Sequence, residues 1–229
     1  MCYNSEMSFT FATIGIIVII YIYFSQNKIK QTGIQYILIF YILMEILQGI
    51  QYFYINQCSN IWNKILTEFA YLLVILQPLM WNLYYFSNSN FCDKNIFITA
   101  IWFSIVWIAV NVLSRLLYDK NIFYNMTKQS SGFASNNVCT KQKKTHLYWE
   151  WTSANFHDLH PNFFSYLMIW FIPALISTKF RITSIIVIIS ALMAAVASVY
   201  VKEVFTFSSL WCYVSVPIVL AVICNMYFT

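Results

Sequence analysis

Charge is what this sequence has least of. Only 9% of its 229 residues are Asp, Glu, Lys or Arg, against roughly 25% in a soluble domain, which argues strongly against a water-soluble monomer. Glycine and proline are scarce as well, with four of each, so collagen-like and low-complexity disordered chains are excluded. Six cysteines spread over a chain this long do not make a disulfide scaffold. No long basic run occurs, so no nucleic-acid partner is expected. There is no P-loop and no Gly-x-Ser-x-Gly. All three histidines (His146, His157 and His160) fall in one hydrophilic stretch, and neither His157-Asp158 with His160 nor His146 with Glu150 makes a zinc pattern. No enzyme activity, cofactor or metal site is expected. A retinal Schiff base is excluded because Lys202 lies at the edge of the last apolar segment, not deep inside it.

What the chain has in abundance is apolar sequence. Residues of that kind make up 60% of the total, and seven segments stand out near 8–25, 34–55, 65–86, 96–118, 163–180, 182–200 and 204–228. Each is long enough to cross a bilayer as a helix, which takes about 20 residues. Runs such as Ile14 to Ile20 do not alternate as barrel strands would. Backbone polar groups in hydrocarbon must be satisfied within the segment, which leaves helices. The expected fold is all-α, a polytopic membrane helix bundle with seven transmembrane helices. It forms one domain over 1–229, with a long extramembrane loop at 119–162. The first span lacks a basic start and a cleavage site, so it reads as a retained helix. Within the long loop, Leu147-Tyr148-Trp149-Glu150-Trp151 mixes rings with charge and suits the headgroup level, with an unstructured loop as the alternative.

Seven spans place the termini on opposite faces. Face A holds the N-terminus, the 56–64 connection and the long loop; face B holds the 26–33 and 87–95 connections, the Lys179–Arg181 link and the C-terminus. Short connections on B carry Lys28, Lys30, Lys94, Lys179 and Arg181, whereas those on A carry Lys64 and Lys202. The excess makes B cytoplasmic and the N-terminus extracytoplasmic or lumenal, although the long loop taken alone would reverse the count. Two features agree with that orientation. Cys2, Cys58 and Cys139 all lie on A, where Cys139 is expected to pair with Cys58 or Cys2. The one glycosylation sequon, at Asn125, lies there too. Lys141, Lys143 and Lys144 read as a solvated basic patch near anionic headgroups.

Ionisable residues inside a bilayer cost at least ~2.5 kcal/mol at its centre and so mark candidate sites. Glu45 lies roughly 15 Å from the A end of the second span, and Gln77 about 18 Å from the A end of the third. The two are expected at one level. Tyr41, Glu45, Gln48 and Tyr52 share one helical face, with Gly49 beside them permitting close approach. This stripe is expected either to hold a small molecule or ion in a polar cavity, or to lock helices together. Glu68 and Arg115 sit nearer face A, where an ion pair competes with both side chains snorkelling to water. Pro78, Pro173 and Pro217 fall inside spans and tend to kink them. Any vestibule is expected to open on face A, with the long loop as its lid.

The ordered motifs Met1-Cys2-Tyr3-Asn4-Ser5-Glu6, Met44-Glu45-Ile46-Leu47-Gln48, Asn56-Gln57-Cys58 and Gln77-Pro78 resemble an uncharacterised family of multi-pass membrane proteins. Its members start Met-Cys-Trp-Ser-x-Glu and carry Glu-Leu-Leu-Gln, Asp-Gln-Cys and Gln-Pro. The later Cys139, His146-Leu147-Tyr148-Trp149-Glu150 and Glu203 with Leu210-Trp211-Cys212 are similar too. Tyr3 replaces the family's Trp and Asn56 its Asp. The resemblance implies a shared multi-helix membrane fold and no particular reaction. Heavy use of Ile, Asn, Tyr and Lys is similar to that of large DNA viruses with AT-rich genomes, which would place the protein in a host or virion membrane. The leading expectation is a small-molecule or ion carrier, or a receptor-like protein. Its rival is a non-enzymatic structural or assembly protein of the membrane. The lipid bilayer is the one partner that composition names; oligomeric state is not legible.

Overall fold

In a computed structural model, residues 4–24, 33–118, 137–143, 146–151 and 163–200 are described. They are mostly helical: α1 (Ser5–Phe24), α2 (Ile34–Gln51, continued by a 3-10 turn Tyr52–Tyr54), α3 (Ile61–Asn88), α4 (Lys94–Tyr118), α5 (Phe163–Ile176) and α6 (Arg181–Tyr200). Four are long and apolar enough to cross a membrane, namely α1, α2 with its 3-10 turn, α3 and the Lys94–Leu116 part of α4. Phe164–Ile176 and Arg181–Met193 are shorter apolar helices. The expected seventh span, 204–228, lies outside the described residues.

Local chemistry sets the helix ends. The Asn4 Oδ1 accepts from the Met7 backbone N–H (2.9 Å) and the Asn60 side chain from that of Trp62 (2.9 Å), satisfying orphan amides at the starts of α1 and α3. Gly33 begins α2 at φ 97°, a backbone region that only glycine adopts without steric cost. Pro78 and Pro173 lie within continuous α3 and α5, so neither opens a broken helix of the transporter kind.

Helices α1 and α2 pack closely and antiparallel. A Cβ on Gly15 would come within 2.6 Å of the Ile42 side chain, and one on Gly49 within 2.8 Å of the Phe9 ring. The absent side chains are what permit the approach. Helix α2 is then nearly surrounded, and its exposed large residues (Tyr36, Ile39, Leu43 and Ile50) form a single outward stripe. Helix α3 is the hub, touching α2, α4, α5 and the hairpin described below. Toward face B the core is aromatic: Trp81 lies 5.8 Å from Trp170, and Phe180 4.8 Å from Tyr85, between ring centroids. Ile16, Ile17, Ile20, Trp102, Phe103 and Val106 face outward, an apolar exterior far beyond that of soluble monomers.

The all-α expectation needs one correction. Residues 139–151 contain an antiparallel hairpin, β1 (Cys139–Lys143) and β2 (His146–Glu150), with Thr140 opposite Trp149. Leu147, Trp149 and Trp151 are buried, and the indoles of the last two stack at 5.5 Å. This aromatic cluster is therefore core and does not sit free among headgroups. His146 and Glu150 occupy a strand, so their helical spacing loses its meaning: four residues of strand separate them by about 13 Å.

Candidate functional site

The polar residues singled out from sequence separate into three groups along the bundle. Nearest face B is a closed network. Gln77 donates its amide N–H to the Tyr41 hydroxyl (2.7 Å), the Trp81 indole donates to the same oxygen (3.0 Å), and the Tyr166 hydroxyl donates to Gln77 Oε1. This network ties α2, α3 and α5 through residues at most 5% exposed. Gln77 thus meets Tyr41, one turn further from face A than Glu45, and the expected shared level of Gln77 and Glu45 is offset by that turn.

The second group is Glu45 and Gln48 on α2, 1% and 0% exposed. Both polar atoms of the Gln48 side-chain amide are buried without a hydrogen-bond partner among the described residues, and so is the Ser8 hydroxyl on α1. The Gly15–Ile42 and Gly49–Phe9 contacts set an antiparallel register that levels Ser8 with the Gln48–Gly49 turn. An unsatisfied buried amide costs about 1–3 kcal/mol, and native interiors leave few such groups. Glu45 and Gln48 thus place a buried carboxyl group and a buried amide one helical turn apart on α2, with the buried Ser8 hydroxyl on the neighbouring α1.

The third group closes face A. Gln51 donates to the Leu66 carbonyl (2.9 Å) and accepts from the Trp149 indole (3.0 Å). Asn63 is bonded to Thr140 in both directions, its amide to the carbonyl (2.9 Å) and its Oδ1 from the N–H (2.9 Å). The Thr67 and Thr140 hydroxyls share a hydrogen bond of 2.7 Å, and the Trp151 indole donates to the Thr67 carbonyl (3.0 Å). A disulfide joins Cys58 to Cys139, and Lys141 reaches Glu150 at 2.8 Å. The hairpin, part of the loop expected to act as a lid on face A, is accordingly docked as a plug over the A ends of α2 and α3. Tyr52, half-buried at the end of the α2 stripe, follows Gln51 directly and begins the 3-10 turn at this same end.

Glu68 and Arg115 form an ion pair across α3 and α4. The guanidinium also lies 4.4 Å over the Tyr71 ring, and the Tyr71 hydroxyl donates to Asn111 Oδ1 (3.0 Å). Stacking on that ring holds Arg115 against the protein instead of letting it snorkel. Cys2, Asn125, His157, Asp158, His160 and Pro217 lie outside the described residues.

Several polar residues were missed from sequence. Asn63 and Thr67 are spaced four apart, a helical signal divided by the expected start of the third span at 65, four residues past the α3 start. Gln51, one helical turn beyond Gln48, is off the Tyr41–Glu45–Gln48–Tyr52 face and carries no sequence signal of its own. Leu147, Trp149 and Trp151 alternate with period two, which is the strand signal. Nothing in the sequence marked Ser8, an ordinary small residue in an apolar run.

A family model described only as a family of unknown function (DUF5765) matches residues 6–227. No curated protein and no solved structure matches the chain.

Proposed function

The chain belongs to the DUF5765 family, and from that premise we propose that it is a polytopic membrane protein that holds a small polar molecule or ion at Glu45 and Gln48. In this reading α1 to α6 and the 204–228 segment make seven spans. The Cys58–Cys139 bond supports an extracytoplasmic or lumenal face A, since such bonds persist in oxidising compartments. Its composition is in keeping with a virus-encoded protein of a host or virion membrane.

The observation that carries the binding role is the Gln48 amide, fully buried and unpartnered one helical turn from a buried carboxyl group. A group kept in that state at a cost in stability is the mark of a binding site. Replacing Gln48 by Leu tests it. Removing the orphaned amide is expected to raise the unfolding midpoint of the ligand-free protein, by the equivalent of about 1–3 kcal/mol. A drop in stability instead would assign Gln48 to the packing framework and end the binding reading. Glu45→Gln is expected to remain folded and to lose transport or binding, whereas a packing role predicts little loss for Gln and damage for Leu.

The structural alternative has its own support in the Tyr41–Gln77–Tyr166–Trp81 network, in which Gln77 is bonded on both sides. We assign that network to helix locking and confine the binding role to Glu45 and Gln48.

A further inference from the structure

Between α4 and α5 the surface opens into a groove of about 580 Å³, lined by Asn95, Thr99 and Phe103 on one side and Met168, Ile172 and Ile176 on the other. That volume lies within the roughly 300–1,000 Å³ range of ligand sites. The lining is almost wholly apolar. Apart from Asn95 its one polar side chain is Thr99, whose hydroxyl is occupied by the Asn95 carbonyl at 2.9 Å.

The dimensions match one leaflet. Asn95 to Phe103, and Met168 to Ile176, each rise about 12 Å along their helices, and half of a ~30 Å hydrocarbon core is about 15 Å. The helices run in opposite directions, so Asn95 and Ile176 mark the mouth at face B, and Phe103 and Met168 the deep end. The mouth is basic. Lys94 is exposed beside Asn95. Arg181, exposed as well, donates its Nε to the Leu175 carbonyl at 3.2 Å, next to Ile176. The nearby carboxylate, Asp93, is turned inward, 6% exposed, and accepts from the Ser177 hydroxyl at 2.6 Å. The outer surface at this end therefore presents Lys94 and Arg181 with no carboxylate from Asp93 to neutralise them.

We propose that the α4–α5 groove binds one anionic phospholipid of the face-B leaflet. An acyl chain lies along Thr99, Phe103 and Ile172, and Lys94, Asn95 and Arg181 hold the phosphate. This inference needs the chain to span a bilayer and is independent of the Glu45–Gln48 reading.

Native mass spectrometry of the full chain in detergent tests it, with phosphatidylglycerol offered against phosphatidylcholine of identical chains. The expected result is one retained phosphatidylglycerol in clear preference. Thr99→Trp, which fills the groove, abolishes retention. Lys94→Gln and Arg181→Gln each lower the preference about fivefold. All three positions are exposed, so the core is untouched, and unchanged unfolding midpoints establish that the variants are folded. Equal retention of both lipids, retention unchanged by Thr99→Trp, or displacement by millimolar inorganic phosphate would overturn the proposal.

Discussion

Gln48 and Gln77 are the same residue type on facing helices, both withdrawn from solvent, yet their surroundings give them opposite energetic signs. Gln77 is bonded through both ends of its amide, to Tyr41 and from Tyr166. Leucine at that position removes both of these hydrogen bonds from a buried network and should destabilise the protein by about 1–3 kcal/mol, measured by denaturant or thermal unfolding in detergent. The same change at Gln48 removes an amide that already lacks partners, and stability should rise. Running the two variants side by side makes the sign itself the result. The Glu68–Arg115 pair is a third case, because Glu68 is 44% exposed and solvent screens it. Glu68→Gln should cost under about 1 kcal/mol, with Arg115 still stacked on Tyr71.

The hairpin carries the largest prediction for a single element. Its link to the bundle combines the Cys58–Cys139 bond, which closes 81 residues of sequence, with the reciprocal Asn63–Thr140 pair. On a chain-entropy basis a loop of that size is worth about 4.5 kcal/mol. Cys58→Ser should lower stability on that scale and raise backbone hydrogen exchange across 139–151. Unchanged exchange would show that Asn63, Thr67 and the two indoles hold the plug by themselves. The hairpin also shows where sequence patterns stop being informative. Leu147, Trp149 and Trp151 do alternate, but five residues embedded in a hydrophilic stretch do not reveal which surface they cover. That surface exists only once α2 and α3 have come together. The α3 start lies four residues before the expected 65 for a related reason, since Asn63 and Lys64 look like a connection until β1 supplies the partner of Asn63.

For the whole molecule, the described contacts place Cys58, Cys139, Asn63 and Thr67 at one end and Asp93, Ser177, Lys179 and Asn88 at the other. Cys92, free and exposed, lies at this second end. It offers a test of orientation. With Cys2, Cys212 and Cys224 replaced by Ser, an impermeant maleimide should label Cys92 only after the membrane is permeabilised, if face A is extracytoplasmic. Labelling in intact cells would invert the proposed topology. Free alkylation of Cys58 or Cys139 without reductant would independently remove the oxidising-face argument.

By itself the sequence determined that this chain forms long apolar helices with few places to put a charge, and where four membrane-length segments begin and end to within a few residues. Helix formation and hydropathy are local, set by backbone hydrogen bonding and transfer energy over about 20 neighbouring residues. Tertiary structure alone decided which of the buried polar groups are satisfied. Gln77 is satisfied because packing brings it Tyr166, a residue 89 positions away along the chain, whereas packing brings the Gln48 amide no partner among the described residues. A hydrogen bond exists only where packing brings donor and acceptor within about 3 Å of each other.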